Sequence, residues 1–94
     1  MEVTIKVTQD HINEGLINNP KCCPIALAFK EQVSGCISTS VEKLILEWED
    51  DNHKKYVAML PADALKFVSD FDNGIDVNPF EFEINYRKKP QISH

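Results

Sequence analysis

A chain of 94 residues and 10.7 kDa, with 43% apolar and 27% charged side chains, fits a single domain with one core and leaves no room for a second. Fifteen acidic against ten basic side chains give a net charge of −5, which argues against non-specific binding to nucleic acid. No apolar run approaches the ~20 residues that span a bilayer, no charged-then-apolar leader opens the chain, and three cysteines cannot all pair internally. The expectation is a cytoplasmic protein in a reducing compartment, away from membranes.

Glu2-Val3-Thr4-Ile5-Lys6-Val7 alternates polar and apolar residues and predicts a half-buried strand. Thr8 is placed to cap a short helix from Gln9 to Glu14, which Gly15 stops, and Asn18-Asn19-Pro20 is turn chemistry. Cys23-Pro24 opens the next helix, because proline's missing N–H has no partner to lose in a first turn. Ile25, Ala28, Phe29 and Val33 form its apolar stripe, and Ser34-Gly35 ends it. Residues 36–48 read as strand with a break near Ser40, residues 49–53 as a polar turn, and residues 54–60 as the returning strand of a hairpin. Pro61 begins a helix carrying Ala64, Leu65, Val68 and Phe71 at helical spacing, with Gly74 as a left-handed cap. Phe80 to Tyr86 alternates strictly and gives a last strand with Phe80, Phe82, Ile84 and Tyr86 on one face. The order β-α-α-β-β-α-β predicts an α+β, two-layer sandwich of about four mostly antiparallel strands with helices on one face. The domain is expected over residues 1–86, with a flexible tail over 87–94.

Chemistry-bearing residues are sparse. Lys21, Cys22 and Cys23 stand before a helix start, where the dipole and a neighbouring lysine can lower a thiol's pKa, so a redox- or metal-linked protein acting through Cys22/Cys23 is one alternative. The adjacency of the two cysteines opposes a thioredoxin-like site, and no zinc spacing links Cys22, Cys23, Cys36, His11, His53 and His94. His11 and His53 read as solvated surface. There is no nucleophile elbow and no phosphate-cradling glycine loop, and neither an enzyme nor a bound cofactor or metal is expected. Lys54, Lys55 and Tyr56 can meet Arg87 and Lys88 if the last strand neighbours the hairpin. With Lys21 and Cys23 at the helix start, these residues are the candidates for a small nucleotide-like anion. Glu49, Asp50 and Asp51 around Trp48 are the candidate surface for a host protein, although a core position in its strand is the preferred reading of Trp48.

Thr8-Gln9-Asp10-His11-Ile12, then Cys23-Pro24-Ile25-Ala26-Leu27-Ala28, Phe71-Asp72-Asn73-Gly74 and Pro79-Phe80-Glu81-Phe82-Glu83, resemble small phage and bacterial proteins with a TQxHI…CPIALA…FDxG…PFxFE pattern. The likeness covers most of residues 3 to 84 and supplies neither an activity nor functional residues. It implies a phage or mobile-element protein. Small non-enzymatic proteins of that kind act by occupying something, which suits a chain without a catalytic constellation. The expected function is thus a non-catalytic binding module for counter-defence, which sequesters a nucleotide immune signal or blocks a host defence protein, with a homo-oligomer among the expected states.

Overall fold

The computed structural model describes residues 1–89. In chain order the elements are β1 (Glu2–Val7), α1 (Gln9–Glu14), α2 (Pro24–Gln32), β2 (Cys36–Glu42), β3 (Ile45–Asp50), β4 (Lys55–Met59), α3 (Ala62–Asp72) and β5 (Phe80–Lys88). The strands form one curled antiparallel sheet in the order β1-β5-β4-β3-β2, with the helices on one face. The fold is α+β, as the element pattern predicts.

The sheet has five strands where the sequence predicts about four. Residues 36–48 are not one interrupted strand; they belong to two strands folded back on each other, with Glu42 opposite Ile45. Ser40 lies in register opposite Glu47, and the reversal falls at Lys43-Leu44. Lys43 takes φ 52° there. A lysine in that conformation gives no turn signal of the kind that glycine or asparagine provides.

β5 joins two half-sheets. Its residues 80–85 pair with β1, from Val7↔Phe80 to Glu2↔Asn85, whereas β4 pairs only with residues 86–88. The ammonium group of Met1 donates to the Tyr86 carbonyl at 2.7 Å, and the Tyr86 N–H donates to the Met1 carbonyl at 2.7 Å, so the two ends of the described chain are tied together. β5 runs two residues past the predicted strand end, and of the expected tail, residues 90–94 lie outside the described residues.

The helices form where local chemistry allows. Thr8 and His11 make a reciprocal cap: the His11 N–H donates to Thr8 Oγ1 at 3.4 Å, and the Thr8 N–H donates to His11 Nδ1 at 3.0 Å. An accepting Nδ1 leaves the proton of the neutral ring on Nε2, which lies 3.3 Å from Glu31 Oε1. His11 is therefore buried between α1 and α2, contrary to the solvated position its polar neighbours suggest. Gly15 ends α1 at φ −66°, not in the left-handed region. A Cβ there would meet Pro24 Cδ and Cγ at 2.6 Å, so this glycine is required by the close approach of α2. Gly74, at φ 75°, is the left-handed cap predicted for α3.

Between the layers, Ile5, Ile25, Phe29, Leu46 and Ile84 are fully enclosed. Each stabilises the fold by about 1.5–3 kcal/mol relative to an exposed side chain. Each edge strand of the sheet has one residue whose outward backbone groups are taken up from outside the sheet. The Gln32 amide donates to the Lys6 carbonyl at 2.6 Å and accepts from the Lys6 N–H at 2.8 Å, and the Val41 N–H of β2 donates to Pro20 at 2.8 Å.

Candidate recognition surface

Because side chains alternate along a strand, one set of residues faces the helices and the other faces away. On β3, Leu46 and Trp48 point inward and Ile45, Glu47 and Glu49 outward; on β4, Ala58 points inward and Lys55, Val57 and Met59 outward. On β5 the outward set is Glu81, Glu83, Asn85, Arg87 and Lys89. No helix among the described residues covers this outer face, and both sides of β4 are apolar. Met59 is 70% exposed and Ile45 41%. With Met1, Val57, Asn85 and Arg87 they line an open hollow of about 650 Å³ beside the point where β4 and β5 part.

The predicted anion residues come together only in part. Register places Tyr56 opposite Lys88 and Val57 opposite Arg87, so the hairpin and the last strand do meet. Lys21 crosses the edge of β2 and borders a hollow of about 240 Å³ with Ser38, Ser40, Glu47, Glu49 and Lys55. Two carboxylates in this hollow offset its lysines: Glu47 accepts from Lys89 Nζ at 3.2 and 3.3 Å, and Glu49 lies directly across from Lys55. Cys23 does not share this hollow. It is buried on the helix side, where its Sγ caps α2 by accepting from the Ala26 N–H at 3.5 Å. Burial, with a smaller contribution from the Asp72 charge, pushes its thiol above the ordinary value despite the helix start. Among the described residues, no group of three or more His, Cys, Asp and Glu side chains converges.

Trp48 and its acidic neighbours are arranged for structure. Trp48 is 6% exposed, stacked on Tyr56 at 4.3 Å between ring centroids, with Tyr86 edge-on at 5.2 Å and Phe29 tilted at 5.6 Å. It cannot serve as an exposed anchor. Asp50 holds the β3–β4 turn: its Oδ1 accepts from the Asn52 and Lys54 N–H groups, each at 2.9 Å, and its Oδ2 from the Tyr56 hydroxyl at 3.0 Å. The Lys54 amide first, then the Tyr56 hydroxyl and Asn52 amide, hold the Asp50 carboxyl below its usual range. The same bond to Asp50 raises the Tyr56 hydroxyl. Glu49 is taken by His53 Nδ1 at 2.9 Å, while Asp51 is exposed at the tip.

Sequence reasoning missed Met1, Ile45 and Met59. The available signal was that Val57 and Met59 alternate with Tyr56 and Ala58, which makes both faces of β4 apolar although helices cover only one. No helix among the described residues is long and apolar enough to cross a membrane. No protein-family model matches the sequence, and no curated protein and no solved structure matches it.

Proposed function

We propose that the protein is a non-catalytic binding module of phage or mobile-element type, which serves counter-defence by occupying a protein surface with the outer face of its sheet. The observation that supports this reading is the helix-free face with its exposed apolar hollow around Met59 and Ile45. A nucleotide sponge needs unbalanced positive charge, whereas Glu47 and Glu49 sit among the lysines of the basic hollow. The redox alternative needs an activated thiol, and the Cys23 thiol is shifted the other way.

Site-specific photo-crosslinking in host cells tests the reading. A benzophenone side chain replacing Met59 is expected to give a discrete adduct with a host protein, and the same group replacing exposed Lys30 on the helix side is expected to give none. Equal adducts from both positions, or none from position 59, would overturn it. A nucleotide retained by the purified protein in native mass spectrometry would restore the sequestering alternative.

A further inference from the structure

The outward side chains of β5 read Glu81, Glu83, Asn85, Arg87, Lys89: two negative, one neutral, two positive. The sequence of charges inverts about Asn85. Ile45 faces Met59 across β3 and β4, and Met59 lies beside Asn85 because Ala58 pairs with Tyr86. The row Ile45-Met59-Asn85 carries no charged side chain and borders the 650 Å³ hollow, which Met1 also lines; Glu42 continues the row beyond Ile45 and Glu2 beyond Asn85, whose Oδ1 accepts from the Met1 ammonium at 3.1 Å. Along β5, basic residues lie to one side of this row and acidic ones to the other.

We infer that this face pairs with a second copy of the same chain. A two-fold axis along the Ile45-Met59-Asn85 row, between two sheets about 10 Å apart, lays β5 antiparallel over β5 of the other copy. Ile45 and Met59 then pack on their own counterparts. Glu83 and Arg87, each about 7 Å from Asn85 along the strand, exchange partners: Glu83 of each copy meets Arg87 of the other. The remaining charged groups on this face leave the exchange to Glu83 and Arg87. Lys6 stands beside Glu81 and Asp63 adds to the acidic side, whereas on the basic side Glu47 holds Lys89 and Glu49 lies across from Lys55. On the row itself the Met1 ammonium and Glu2 are of opposite sign, and Glu42 lies at the far end beyond Ile45. A self-complementary face is what a closed dimer requires, and an apolar centre ringed by opposite charges gives it both attraction and register. The inference rests on the outer face being the recognition surface, so a host target displaces the second copy.

Sedimentation velocity on the purified chain, from roughly 1 to 200 μM, tests the pairing. The wild type is expected to be a dimer. E83R and R87E are each expected to weaken it at least ~10-fold, because each places two like-charged pairs in the dimer. Mixing the two variants restores opposite charges at both contacts and is expected to give a heterodimer, and E83R/R87E in one chain is expected to dimerise again. Both positions are exposed, and circular dichroism of each variant confirms folding. A monomeric wild type, or reversals that leave the dimer unchanged, would overturn the pairing. Neither result bears on the host adduct from position 59, so the two readings fail separately.

Discussion

The Cys23 thiol illustrates how burial can outweigh a helix start. The helix dipole and the Ala26 N–H favour the thiolate, but enclosure disfavours charge more strongly, and the group is held protonated. Cys23 is expected to resist a disulfide reagent at neutral pH until the protein unfolds, and thiol counting with and without urea checks this. Rapid stoichiometric labelling in the native state would revive the redox alternative. Asp50 is the opposite case, a carboxylate held charged by three donors. Its pKa is lowered on folding, so its contribution is present above the ordinary carboxylate range and is lost as pH falls through the lowered folded value. Wild-type stability is therefore expected to fall more than that of Asp50→Asn between about pH 5 and pH 2, as measured by urea unfolding at each pH. A parallel fall in both proteins would mean that the turn does not depend on this charge.

At the level of elements, local chemistry was legible and contacts between distant parts were not. Alternation revealed β1 and β5, and the Thr8 and Pro24 signals marked both helix starts. The Lys43-Leu44 reversal was not visible, because neither residue is a turn former and the positive φ is imposed by strand pairing. The position of Gly15 was readable but its reason was not, since a glycine that ends a helix and one that admits a proline ring look alike in sequence. Gly15→Ala is expected to destabilise the fold by about 1–3 kcal/mol by forcing α1 and α2 apart, measured by thermal unfolding. Loss of less than about 0.5 kcal/mol would show that the contact relaxes freely. Gln32 belongs to the same scale, a helix side chain filling the place of a neighbouring strand. Gln32→Ala is expected to speed hydrogen exchange at the Lys6 amide and to cost about 1 kcal/mol, whereas unchanged exchange would mean that water replaces the side chain without loss.

For the molecule as a whole, the fold class followed from the order of elements, whereas the candidate site depended on register. Lys54, Lys55, Arg87 and Lys88 were legible as a basic group because topology was the only missing fact. The carboxylates that offset the basic hollow lie on a strand between Lys21 and Lys55, and only pairing reveals that. Trp48 was ambiguous for a general reason: large aromatics anchor both cores and interfaces. The charge inversion along β5 was present in the letters throughout, but it acquires meaning only once Met59 and Ile45 fall in line with Asn85.

The pairing of β1 with β5 also governs how the chain reaches its fold. Glu2 finds its partner at Asn85, so β1, early in the chain, remains unpaired until β5 has been synthesised. Contacts of such large sequence separation slow folding, and they leave a strand-forming segment open to misassociation during synthesis. The ribosome therefore delivers everything from β1 to β5 before the sheet can close, and a nascent chain stalled anywhere in α3 is a substrate for chaperones or proteases and not a partly working protein.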